Sequence, residues 1–145
     1  MTSAFSSFAL DAVDTRRMAE FWTQALDYRI AEEDGDFIFL APNDGSGPPL
    51  DILPVPEHKT AKNRLHLDLH AVGCTQEEEV ERLLALGAVR ADVGQGPDVS
   101  WVVLADPEGN EFCILGSRQE QEQGQTQGQE QGGQEETPAQ PASLA

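Results

Sequence analysis

Basic residues are scarce in this chain: nine lysines and arginines stand against 26 aspartates and glutamates, for a formal net charge of -17 over 145 residues. A surface of that sign repels phosphate backbones and anionic lipid, so neither nucleic acid nor a membrane is expected as a partner. Long apolar runs are missing too, and no stretch approaches the roughly 20 residues that a spanning helix needs. The start, MTSAFSSFALDAVD, lacks a basic flank followed by an apolar stretch and does not read as a secretion signal. Cysteine is limited to Cys74 and Cys113, which without an export signal are expected as free thiols rather than a disulfide. A cytoplasmic location is expected on those grounds. There is also no glycine-rich phosphate loop after a strand, no nucleophile elbow and no CxxC pair. Nucleotide hydrolysis, serine hydrolysis and dithiol redox chemistry therefore find no support.

From about Gln119 to Ala145 the sequence holds little but glutamine, glutamate, glycine and small or turn-prone residues, with one leucine near its end. Such a segment buries too little apolar surface to offset the entropy of ordering, so residues 117–145 are expected to be a disordered tail. Only five glutamates and one arginine follow Leu115, so most of the negative charge belongs to the folded part. An apolar content of 39%, with 6% aromatic, supports one modest core over residues 1–116.

Within that part a unit repeats. SFALDAVDT (7–15) aligns with HLDLHAVGC (66–74), matching Leu10 to Leu69, Ala12 to Ala71 and Val13 to Val72. Each reads as a strand leading into a helix. In the first helix Met18, Phe21, Trp22, Ala25 and Leu26 form one buried stripe, with Asp14 or Thr15 as the cap. In the second, Thr75 with Glu78 is a capping-box pattern, Val80, Leu83 and Leu84 form the stripe, and Gly87 suits the end. DFIFLAP (36–42) then parallels SWVVLADP (100–107), and LDIL (50–53) parallels FCIL (112–115), with turn-formers between the members of each pair. A further short strand is expected near Tyr28 to Glu32 and near Ala88 to Val93. The fold class is α+β: two tandem βαβββ modules, at about 5–56 and 64–116.

RLHLDLHAVG (64–73) alternates strictly, setting Leu65, Leu67 and Leu69 on one side of an extended chain and His66, Asp68 and His70 on the other. The leucines are expected to face the helices. The polar side is then a solvent surface, a metal site or a cavity wall.

AEFWTQALDY, PVPEHKTAKNRLHLDL, LLALGA and, most specifically, DPEGNEF within WVVLADPEGNEFCIL resemble the glyoxalase-like branch of the vicinal oxygen chelate superfamily. That superfamily includes glyoxalase I, bleomycin-resistance proteins and extradiol dioxygenases. The resemblance spans roughly residues 5–116 and implies mixed sheets that curl into a cup around a ligand or metal. It also implies four inward positions, carried here by Ser7, Asp51, His66 and Cys113. The alternation then turns His66, Asp68 and Cys113 toward the cup, with Phe112 and Ile114 outward.

On the favoured expectation the cup binds a small organic molecule without a metal cofactor. His66 is then the candidate general acid or base, with Asp68, Trp101, Asp51, Cys113 and Ser7 as ligand contacts. The alternative is a lyase, isomerase or dioxygenase whose divalent metal, such as zinc, iron or manganese, is held by Asp51, His66 and Cys113. A third reading is a non-catalytic drug-sequestering protein of the bleomycin-resistance type, with its cleft at a homodimer interface. Bland roles stand beside these: Cys113 as a core filler, His66 as a hydrogen-bonding strut, Trp22 as core, Phe37 and Phe39 as packing, His70 as solvated. HKTAKNR (58–64) is the one basic cluster, so Lys59, Lys62 and Arg64 either hold an anionic group or form a solvated linker.

Overall fold

The computed structural model describes residues 1–116, and the expected tail lies outside the described residues. Strand β1 (Phe8–Ala12) leads directly into α1 (Thr15–Leu26). Asp14 is the cap, its carboxylate accepting from the Arg17 N–H at 3.0 Å, while Thr15 is already helical and buried. The helical spacing carries Met18, Phe21 and Trp22 into the core, each at most 2% exposed. The helix ends at Asp27, whose left-handed backbone (φ 54°) is steadied by a hydrogen bond from Asn43 Nδ2 to its carboxylate.

Strands β2 (Tyr28–Asp34), β3 (Phe37–Pro42) and β4 (Leu50–Pro54) follow, antiparallel in turn, and β1 lies parallel to β4 in a sheet ordered β1, β4, β3, β2. The second half repeats this plan with β5 (Asp68–His70), α2 (Gln76–Leu86), β6 (Val89–Arg90), β7 (Trp101–Ala105) and β8 (Glu111–Leu115). Its order, β5, β8, β7, β6, with β5 parallel to β8, matches the first strand for strand. The capping box of α2 is complete: the Glu78 N–H donates to Thr75 Oγ1, and the Thr75 N–H to Glu78 Oε2. Of the two short strands expected, β2 runs on to Asp34 whereas β6 is only two residues long.

Alternate residues of the sheets, among them Ile38, Leu40, Leu50, Ile52, Leu104, Phe112 and Ile114, form one core with the helix stripes. The modules interlock there, with the Phe112 ring 5.2 Å from Trp22 and 6.1 Å from Phe21 between centroids. Trp22 Nε1 donates to Asp106 Oδ2 at 3.3 Å. The DPEGN turn closes around that same carboxylate, which accepts from the Glu108 and Asn110 N–H groups, and Gly109 takes the positive φ of 90° that the turn needs. Glu108 in turn accepts from the Val13 and Asp14 N–H groups at 2.9 and 2.7 Å, so the turn of one module tethers the helix start of the other. Arg82 on α2 donates to the Gln24 and Ala25 carbonyls at the end of α1.

The leucine side of residues 64–70 needs correction. Regular strand begins only at Asp68, although Leu67 O still accepts from the Cys113 N–H at 2.9 Å. Leu67 and Leu69 pack against the core, but Leu65 is 83% exposed beside an apolar hollow shared with Phe8 and Leu10. Alternation fixes a face only while the strand is paired, and the ladder to β8 stops short of Leu65.

Candidate functional site

His66 and Asp68 lie two residues apart where the chain enters β5, so both turn to the face opposite Leu67 and Leu69. His66 Nε2 stands 3.2 Å from Asp68 Oδ1, with the two side chains 44% and 51% exposed. Strand β8 runs between β5 and β7, and its register sets Cys113 beside Asp68 on one side and Val103 on the other. Because Phe112 and Ile114 are buried in the core, Cys113 projects to the same face as His66 and Asp68. A ligand atom from each of the three lies within 4.8 Å of the others.

Burial, then the negative charge of Asp68 and a hydrogen bond to it, push the Cys113 thiol up to about 11. At neutral pH it is an uncharged S–H donor to the carboxylate, not a nucleophile. Around this cluster opens a cavity of about 510 Å³, walled also by Trp101, Val103 and Lys62. Trp101, 40% exposed, offers it a flat apolar face.

Ser7 and Asp51 are not gathered into this cluster. Asp51 sits on β4 in register with Ala9 and Phe39, and the Ser7 hydroxyl donates to its Oδ2 at 2.6 Å. Neither residue lines the cavity, nor do Phe37, Phe39 and His70. Trp22 is core. Of the three linker cations, Lys59 is paired with Glu111 at 3.0 Å, Lys62 reaches the cavity rim, and Arg64 is exposed.

Glu111 was not singled out by its sequence, yet it organises the site's edge. Its second oxygen accepts from the Asn63 N–H at 3.0 Å, pinning the linker to β8. Burial alone would raise this carboxyl, but the Asn63 N–H and the Lys59 ammonium outweigh it and hold the group below its ordinary value. The available signal was period two: Glu111 precedes Cys113 by two residues and shares its face. Gln95, also in the lining, belongs to a loop with no such periodicity.

The donor set suits a divalent ion. An ion bound at about 2.0–2.3 Å to each ligand keeps its donors within about 4.6 Å of one another, close to the spacing here. Imidazole, carboxylate and sulfur together match a borderline cation such as zinc, once the thiol has given its proton to solvent. Among the described residues no other three His, Cys, Asp or Glu side chains come together in this way.

Residues 7–115 match the family model described as "Glyoxalase-like domain". No curated protein sequence matches the chain. Among solved structures, the fosfomycin resistance protein FosX from Mesorhizobium loti is similar at 16% identity and TM-score 0.60, over 85% of this chain and 99% of that one. A point mutant of FosX from Listeria monocytogenes, complexed with Mn(II) and 1S,2S-dihydroxypropylphosphonic acid, is similar at 17% identity and TM-score 0.61, over 82% and 94%. A glyoxalase/bleomycin resistance protein/dioxygenase family enzyme from Burkholderia phytofirmans PsJN is similar at 20% identity and TM-score 0.58, over 75% and 94%. These likenesses carry the fold, and with a family match over nearly all of the described residues, the chain belongs to the glyoxalase-like domain family.

Proposed function

We propose that this chain binds a small organic molecule in the cavity along β7 and β8, with His66 exchanging a proton with it and Asp68 orienting the imidazole. The observation that carries this reading is one cavity wall that brings His66, its Nε2 3.2 Å from Asp68 Oδ1, together with the apolar face of Trp101. A volume of about 510 Å³ falls within the range of about 300–1,000 Å³ typical of ligand sites. The exposure of His66 keeps its ring accessible to a ligand. The test is a thermal-shift screen of dicarbonyl adducts, catechols and glycopeptides, followed by titration of any hit. A hit bound at least about tenfold more weakly by His66→Ala and by Trp101→Ala supports the reading, since each loses a direct contact. Unchanged affinity in both variants rejects it.

The proximity of the His66, Asp68 and Cys113 donors favours a second reading, a metal-dependent lyase, isomerase or dioxygenase. A bound ion would supply Lewis-acid polarisation of a ligand oxygen. Both readings use the same cavity and differ in whether His66 meets the ligand or the ion. The Listeria relative crystallised with Mn(II) and a small organic acid is consistent with the second.

A further inference from the structure

We propose that the second module alone builds a thiolate-bearing metal centre, with His66, Asp68 and Cys113 as its protein ligands and zinc-class ions preferred over manganese or magnesium. The inference rests on the metal-dependent reading and adds which residues hold the ion and which ion they select. The resemblance to the superfamily implies ligands drawn from both modules. Here the first module's two positions are bonded to each other, Ser7 to Asp51 at 2.6 Å, whereas three donors of the second converge within 4.8 Å.

The convergence follows from the sheet. Cys113 is held on a strand paired on both sides and is 7% exposed, so its sulfur is fixed in place. His66 and Asp68 are exposed enough to adjust by rotamer and bring their donors to bonding distance of one ion. On binding, the Cys113 proton passes to buffer, its sulfur and the Asp68 carboxylate bond the ion, and nothing is oxidised or reduced. Sulfur decides the selectivity, because thiolate favours zinc and cobalt while manganese and magnesium favour all-oxygen surroundings. The adjoining cavity leaves a fourth position open to water or to a ligand oxygen, as three-ligand zinc centres require.

The test titrates metal-stripped full-length chain with Co(II), Zn(II), Mn(II) and Mg(II). The expected result is one equivalent of cobalt giving a sulfur-to-cobalt charge-transfer band in the near ultraviolet, displaced by zinc, with zinc binding at least about tenfold tighter than manganese. Cys113→Ser should abolish the band, and His66→Ala should weaken zinc at least about tenfold. Ser7→Ala, Asp51→Asn and Cys74→Ser should leave both unchanged. The wild-type cobalt spectrum carries the thiolate claim even if a variant fails to fold. Manganese bound as tightly as zinc, with no charge-transfer band, overturns the inference and leaves the metal-dependent reading standing. A band that survives Cys113→Ser but disappears in Cys74→Ser also overturns it. Binding of none of the four ions removes both.

Discussion

Among the described residues Asp106 is the one charged side chain buried to 2% exposure, and its surroundings show what the DPEGN motif does. Desolvation raises its carboxyl above the ordinary value, against the bonds donated by Asn110, Glu108 and Trp22. A carboxyl whose folded pKa exceeds its unfolded one favours the fold most fully below the unfolded value, about 3.9 for aspartate. That contribution is lost as pH rises through the raised folded value. Asp106→Asn should therefore flatten this part of the stability profile, while lowering stability overall by about 1–3 kcal/mol, because an amide cannot accept all the bonds the carboxylate does. Denaturant titrations at several pH values check this, and an unchanged slope in the variant would refute it. At the same scale the Asp68 contact was only half legible. Spacing set Asp68 and His66 on one face, but the 3.2 Å approach depends on side-chain rotamers that alternation does not specify.

At the scale of elements, the linker between the modules is held to β8 by Glu111, through Lys59 and the Asn63 N–H. The Glu111 carboxyl sits below its ordinary value, so its stabilising contribution is present above the unfolded pKa and is lost as pH falls through the depressed folded one. Amide exchange at Asn63 should thus accelerate in acid beyond its intrinsic rate, and Glu111→Ala should show that loss of protection already at neutral pH. Equal protection in variant and wild type at neutrality would disprove the pin. The helix starts were legible to within a residue, because capping is a contact between residues three apart: Thr75 with Glu78, and Asp14 with Arg17, where Thr15 stood as the other choice. The linker's anchor was not, since Asn63 and Glu111 are 48 residues apart and no local period relates them.

Over the whole molecule, the stack of Phe21, Trp22 and Phe112 makes the two modules share one core. They should consequently unfold together. Trp22 reports the seam and Trp101 the cavity, so Trp22→Phe and Trp101→Phe leave one probe each. Within each variant, fluorescence and circular dichroism should give one coincident transition. Phe112→Ala should lower stability by about 3–5 kcal/mol without separating the probes. Two resolved transitions in either single-tryptophan variant would show that the modules fold independently.

Two copies of one βαβββ unit, the capping box of the second helix, and the turning of His66 and Asp68 to one face were determined by the sequence itself. These rest on periods of 2 and 3.6 residues and on contacts a few positions apart, which any stretch of chain carries in its own order. Tertiary structure alone decided that Asp68 rather than Asp51 stands with His66 and Cys113, that Ser7 bonds Asp51, that Glu111 captures the linker, and that Leu65 is left exposed. Each of those depends on strand register and on where pairing stops, and sheet register brings together side chains that no local period relates.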